Sequence, residues 1–259
     1  MHRLTLKLLK SPPLSSIFKT PWIGMFSSFQ AALAAIPPDA RIGYDQDETK
    51  QVFLHYPTTR MRSADYPILL HILNLAKQGG KVLDLGGNIG MAYYTALKYY
   101  ALPEGFTWTV CDLPKVIDTG RQVAKREGDL SAGLRFVSTD DLETISGTDG
   151  QFDIFFSSGT LQYIETPVAE ILRQLPQLPE TLLINRIPTW SSPPLFSMQD
   201  IGFCICPYQI FNHQSFVKSV EDLGYRLADD WECPESTFSV RFHPKVRLNA
   251  YHGFYFTRA

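Results

Sequence analysis

Cysteine is scarce in this chain. Cys111, Cys204, Cys206 and Cys233 are all there is, and no two have C-x-x-C spacing. Such usage excludes a disulfide framework and fits a reducing, cytoplasmic compartment. Cys204-x-Cys206 is the one close pair, and in its apolar run it reads as two buried thiols. H-x-x-H, H-E-x-x-H and carboxylate clusters are also missing, so no metal is expected. Charge of one sign is missing too: 24 basic residues against 26 acidic ones leave a net charge of -2, which gives no support to nucleic-acid binding. Apolar runs stay well short of the ~18 to 20 residues of a membrane span. A secretory leader is not expected, because Lys7 and Lys10 interrupt the early leucines instead of preceding them.

What is present is organised around Val82-Leu83-Asp84-Leu85-Gly86-Gly87-Asn88-Ile89-Gly90. It reads as a buried strand entering a glycine-rich turn, with a helix opening near Met91. Gly86, Gly87 and Gly90 let the backbone take positive φ and lie close to a ligand, and Asn88 tolerates the left-handed region. Strand, tight turn and helix start together suit a polar small molecule.

Around this stretch, short apolar runs alternate with helical ones. Asp65-Tyr66-Pro67 starts a helix that Gly79-Gly80 ends. Strands are expected at 81–85, 106–111, 134–137, 152–156 and 181–184, with helices between them. Such alternation predicts an α/β fold with a doubly wound, Rossmann-like sheet, whose ligands bind beyond the strands' carboxyl ends. Those ends are Asp84, Asp112, Asp140, Ser157 and Asn185. Asp112 closes the second strand, where one carboxylate can accept from two ribose hydroxyls. A late helix over 214–223 and strands at 225–231 and 253–257 fit an antiparallel pair added at the sheet edge.

The flanks read less clearly. Residues 1–20 interleave Arg3, Lys7, Lys10 and Lys19 with leucines, which suits weak contact with a membrane surface. A plain N-terminal arm, or a helix packed on the domain, suits them better, since Pro12-Pro13 forbids one long amphipathic helix. A helix is expected over 22–36. Residues 41–63 form either a lid over the site or a surface connection. Residues 186–212 read as a long connection bordering an acceptor pocket. The chain thus divides into an N-terminal arm and cap over 1–63 and a catalytic domain over 64–259.

Leu83-Asp84-Leu85-Gly86-Gly87-Asn88-Ile89-Gly90 resembles the first motif of class I S-adenosylmethionine-dependent methyltransferases, with Asn88 in place of the commoner middle glycine. Cys111-Asp112-Leu113-Pro114, Phe136-Val137-Ser138-Thr139-Asp140 and Phe152-Asp153 through Leu161-Gln162-Tyr163 resemble the next three motifs, in order. The whole chain is also similar to a family of bacterial methyltransferases often associated with surface-polysaccharide biosynthesis. The resemblance implies a seven-stranded sheet with an N-terminal helical extension, and S-adenosyl-L-methionine as cofactor. It implies that the Gly86–Gly90 turn carries the methionine portion, with Asp84 toward its amino group. Asp112 would take the ribose hydroxyls, Leu113 the adenine ring and Asp140 the adenine amine. Ser157 and Ser158 would line the methyl-donor end. The implied reaction is methylation of a small molecule, at oxygen on a sugar, sugar nucleotide or glycan precursor.

An alcohol nucleophile needs a base, commonly His. His213, after the long connection, is the candidate; His71, in a helix, reads as packed, and His55 lies in the lid or connection. Tyr163 and Tyr208 are candidate acceptor contacts, and Arg186 suits an anionic acceptor. One rival is a nicotinamide-dependent oxidoreductase, but G-x-G-x-x-G counted from Gly86 meets Asn88 and Met91 where glycines belong. Another is a non-catalytic, methyltransferase-like scaffold, since the sequence marks no definite base.

Overall fold

The computed structural model describes residues 20–54, 61–76, 80–99, 101–127, 133–141 and 151–259. Strand β1 (Trp22–Phe26) and helix α1 (Phe29–Ala34) come first, then α2 (Asp47–Leu54) and α3 (Asp65–Ala76). Alternating elements follow: β2 (Lys81–Leu85), α4 (Met91–Tyr99), β3 (Thr107–Asp112), α5 (Pro114–Glu127), β4 (Leu134–Ser138), β5 (Ile154–Ser158), α6 (Val168–Arg173) and β6 (Thr181–Ile187). The final third holds β7 (Thr189–Trp190), β8 (Leu195–Asp200), β9 (Ile205–Asn212), α7 (His213–Glu221), β10 (Tyr225–Cys233), β11 (Phe238–Val240), β12 (His243–Leu248) and β13 (Tyr251–Arg258).

Seven strands form the main sheet in the order β10-β13-β6-β5-β2-β3-β4. From β6 to β4 the neighbours are parallel, while β13 runs antiparallel between β6 and β10. Both faces are covered, which is why the inner strands are apolar throughout. Val82, Trp108 and Phe156 pack with Ile68 and Ile72 of α3 and Ile117 of α5. Leu83, Cys111 and Phe155 point the other way, against Leu172 of α6 and Phe216 and Val220 of α7. The chain winds outward from β2 to β4, then returns to β5 on the opposite side of β2. The crevice between β2 and β5 is therefore the switch point where an open α/β sheet binds ligands.

A second, six-stranded sheet, β12-β11-β1-β8-β9-β7, was not expected from the sequence. One reading is corrected here. Residues 22–36 are not one helix: Trp22–Phe26 pairs with β8 and β11, and α1 begins only after Ser28, whose hydroxyl accepts from the Ala31 amide at 3.0 Å. The long connection at 186–212 carries elements of its own, β7, β8 and β9. Pro207 stands opposite Met198 within β9, where β8 is the one paired neighbour and the missing N–H costs no ladder bond. The second sheet has its own core, in which Ile23, Ala32 and Ile36 meet Met198 and Ile205. Elements from both sides of residue 63 contribute to this core. Residues 1–19, which include most of the basic arm, and His55 lie outside the described residues. Among the described residues no helix is long and apolar enough to cross a membrane.

Candidate active site

The glycine turn sits at the carboxyl end of β2. Gly86, Asn88 and Gly90 have φ of 72°, 59° and 88°, so the left-handed conformations expected there are present. Packing also demands the first two glycines. A Cβ on Gly86 would lie 2.0 Å from Thr160 Oγ1, and one on Gly87 would lie 2.5 Å from the Asp84 carboxylate. The Gly86 amide donates to the Cys111 carbonyl at 2.7 Å, which ties the turn to β3. Asn88 steadies its own positive φ by accepting from the Ile89 amide at 2.8 Å.

Two carboxylates flank this turn. Asp84 is buried, 1% exposed, and accepts from Trp108 Nε1 at 2.9 Å. Burial pushes its pKa up to about 7; the indole bond opposes the shift and the Asp112 charge adds to it. A carboxylate so short of partners suits a cationic ligand group, such as an ammonium. Asp112 accepts from the Asn88 amide (2.8 Å) and the Leu113 amide (2.7 Å), which holds its two oxygens beside the turn. Burial lifts it to about 6, against both of those amides. Asp140 is exposed, in a single 3-10 turn at Thr139–Asp141, with its amide donating to Ser138 Oγ at 3.2 Å.

The other candidates fall at the ends of β5 and β6. Ser157 is buried and donates to the Leu85 carbonyl at 3.0 Å, so its hydroxyl fastens β5 to β2. Ser158 Oγ accepts from Arg186 Nε at 3.0 Å, and the Ser158 carbonyl accepts from Arg186 Nη2 at 2.9 Å. Arg186 has φ of 56°, a costly setting for a side-chain-bearing residue and one found at functional sites. Its guanidinium lies across Gly159, where a Cβ would come within 2.9 Å of Nη2. No carboxylate pairs with it among the described residues.

Beyond Gly159 opens a cavity of about 200 Å³, lined by Trp22, Gln162, Tyr163, Arg186, Gln199, Tyr208, Ser236, Thr237 and Tyr251. It lies where the two sheets meet. Tyr163, Tyr208 and Arg186, the expected acceptor contacts, are thus brought together. Tyr208 donates to or accepts from Tyr251 Oη at 2.7 Å, and Tyr163 donates to Gln199 Oε1 at 2.6 Å. Tyr44 stands edge-on to Tyr163 with ring centroids 5.3 Å apart, and Asp45 accepts from the Lys115 amide at 3.0 Å. Residues 44 and 45 therefore link Tyr163 of the cavity wall to the start of α5. Two buried polar atoms of the cavity wall, Trp22 Nε1 and Gln162 Oε1, find no hydrogen-bond partner among the described residues.

His213 lies elsewhere. It begins α7 and sits 3.1 Å from Thr189 Oγ1 through Nδ1, while His252 Nδ1 approaches the same hydroxyl at 2.8 Å. It is not among the residues lining the cavity. His71 stacks on Tyr255 with centroids 4.0 Å apart and meets Asp229 at 3.2 Å, in keeping with a packed residue. Sequence reasoning missed Trp108, Trp22, Gln162, Gln199 and Tyr251. For Trp108 a signal existed: Asp84 pairs with Val110, so Trp108, two residues earlier, shares its face of the sheet.

The sheet order, with its crevice between β2 and β5, is that of an open α/β fold. Solved methyltransferase structures share this fold. One is 1,6-didemethyltoxoflavin-N1-methyltransferase of Burkholderia thailandensis, with bound 1,6-didemethyltoxoflavin and S-adenosylhomocysteine. It matches with a TM-score of 0.52 and 17% identity over 76% of this chain and 79% of that one. An O-methyltransferase family protein from the same species gives a TM-score of 0.54 and 14% identity over 100% of this chain and 70% of that one. The CcbJ methyltransferase of Streptomyces caelestis gives 0.52 and 16% over 81% and 96%. No protein-family model matches the sequence, and no curated protein does.

Proposed function

We propose that this chain is an enzyme that transfers a methyl group from S-adenosyl-L-methionine to a small molecule. The observation that carries the reading is the pairing of Asp84 and Asp112 on either side of the Gly86–Gly90 turn. One is a buried carboxylate lacking a cation; the other is fixed by two amides at the next strand's end. Methionyl ammonium and ribose hydroxyls are the complementary groups. Leu113 and Asp140 then fall to the adenine, and Ser157-Ser158-Gly159 to the methyl-donor end. The neighbours of like fold include proteins with S-adenosylhomocysteine bound and O-methyltransferases, which supports the same reading.

Methyl transfer is an in-line displacement at carbon, with the electron pair returning to sulfur. The protein's part is to align acceptor and donor in a water-poor site. Gly86 and Gly87 keep side chains out of the donor's path. Trp108 orients Asp84. Arg186 and the cavity's phenols and amides hold the acceptor in line beyond Gly159. A sugar or glycan precursor is our finer reading of the acceptor: aromatic walls and scattered polar groups suit a hydroxylated ring. Transfer of a labelled methyl group to small molecules tests the activity. Absence of transfer by protein that binds S-adenosylhomocysteine would favour the scaffold reading, which draws on the lack of any imidazole or carboxylate among the described residues of the cavity wall.

Weak contact of residues 1–20 with the cytoplasmic face of a membrane belongs to the same proposal. Its support is the charge of that arm and the anchoring of Thr20 against Ser239 and Arg241 at the second sheet. Sedimentation with anionic vesicles, compared between the full chain and a variant with Arg3, Lys7, Lys10 and Lys19 changed to Gln, tests it; equal sedimentation refutes it.

A further inference from the structure

The cavity beyond Gly159 bears on what the acceptor is, an argument that rests on the methyltransferase reading above. Among the described residues its wall has one permanent charge, Arg186, whose guanidinium bonds neutral groups, Ser158 Oγ at 3.0 Å and the Ser158 carbonyl at 2.9 Å. Among the described residues the lining contains no imidazole, carboxylate or amine. The phenols of Tyr163 and Tyr208 are driven well above their ordinary pKa by burial, so both remain hydrogen-bond donors and neither takes up a proton at neutral pH. The imidazoles of His213 and His252 turn their Nδ1 atoms to Thr189.

An alcohol acceptor would have to shed a proton in this cavity, and none of the described wall residues would receive it. An acceptor that arrives ionised needs no base. The wall also carries the polar side chains of Gln199, Ser236 and Thr237, which suit hydroxyl or equivalent groups on a ligand. Trp22, Tyr163 and Tyr208 meet edge to face, with centroids 5.1 and 5.7 Å apart, and give the ring of such a ligand an apolar surface.

We infer that the acceptor is a small hydroxylated carboxylic acid, a sugar acid in the sugar reading, and that its carboxylate is both the group Arg186 holds and the group methylated. One carboxylate oxygen stays on the guanidinium while the other attacks the methyl carbon. The O–C bond forms as the C–S bond breaks, and the electron pair goes to sulfur. Carboxylate and sulfonium become neutral ester and neutral thioether, and no proton moves.

The test first splits a metabolite extract of cells carrying its gene into acidic and neutral fractions by anion exchange, then incubates each with the full chain and methyl-labelled S-adenosylmethionine. Labelling is expected in the incubation with the acidic fraction, in a product with one negative charge fewer, and the label is expected to leave as methanol on mild alkaline treatment, as a methyl ester requires. At saturating donor, kcat should stay flat between pH 6 and 8, and Arg186→Met should lower kcat/KM for the acid by roughly 10- to 150-fold while S-adenosylhomocysteine still binds. Alkali-stable label, labelling only in the incubation with the neutral fraction, or a kcat that falls below pH 6.5 overturns the inference. So does no transfer at all by protein that binds S-adenosylhomocysteine. Failure to bind S-adenosylhomocysteine instead overturns the methyltransferase reading beneath it.

Discussion

Changing Asp84 to Asn should make the protein more stable at neutral pH and worse at holding its cofactor. In the folded chain Asp84 is 1% exposed and its pKa stands at about 7, against an ordinary value of 3.8. At 1.36 kcal/mol per tenfold, the native state carries a penalty of about 4 kcal/mol once the group is ionised at pH 8. The sign follows from proton binding. Between pH 4 and 7 the folded state retains a proton that the unfolded state has lost, so stability falls as pH rises through that window and levels off above it. Asn is neutral throughout, has nearly the same shape, and keeps an oxygen for Trp108 Nε1, 2.9 Å away. Parent and variant should therefore melt together near pH 4. By pH 8 the variant should lead, by at most about 8 °C at roughly 2 °C per kcal/mol for a chain of this length. Asp112 adds a slope of the same sign to both proteins, so the difference between them is the quantity to read. The variant should also bind S-adenosylhomocysteine roughly 10- to 150-fold more weakly, having lost a charge-assisted bond to the ammonium. Scanning calorimetry without ligand and isothermal titration with it supply both numbers. A variant with the parent's pH–stability curve, or with unchanged affinity, refutes the assignment of Asp84.

Other consequences can be measured with the same protein. S-adenosylhomocysteine should bind the parent more tightly as pH rises toward 7 and no more tightly beyond it, because Asp84 must ionise to meet the ammonium. Trp108→Phe removes the bond that holds Asp84 down, so the midpoint of that pH dependence should move upward. Gly86→Ala combines a left-handed φ of 72° with a Cβ 2.0 Å from Thr160 Oγ1, and should cost about 2 to 4 kcal/mol in urea titration. Gly105→Ala, at φ of 81° with nothing nearby, should cost only about 1 kcal/mol and serves as its control. Asn185→Ala strips the buried hub that joins the Ala64 carbonyl (3.0 Å), Trp231 Nε1 (3.1 Å) and Cys233 Sγ (3.4 Å), and should destabilise the fold by about 2 to 4 kcal/mol.

The main sheet could be read from the sequence because its information is local. Val82 to Leu85 and Phe152 to Phe156 are apolar runs closed by Gly86 and Gly159, and each strand's partners follow from the alternation of strand and helix. The second sheet could not. Trp22 pairs with Val240 across most of the chain, Pro207 stands inside a strand, and Gly24 interrupts what looks like a helical run. Each local signal argued for helix or loop, and long-range pairing overrode it. The cofactor side of the site was legible for the same reason as the main sheet: Asp84 and Asp112 stand at strand ends beside glycines. The acceptor side was only partly so. Arg186 drew notice by following a strand, yet its positive φ and its position over Gly159 are properties of the folded chain. Trp22 and Tyr251 reach the same cavity from sheets that meet only in three dimensions.

Isothermal titration of the folded chain with S-adenosylhomocysteine at pH 5.5 and pH 7.5 tests the central claim most directly. Saturable one-to-one binding is predicted, tighter at pH 7.5, and lost or strongly weakened in Asp84→Ala. No heat of binding from folded protein, or binding indifferent to both pH and Asp84, would contradict it.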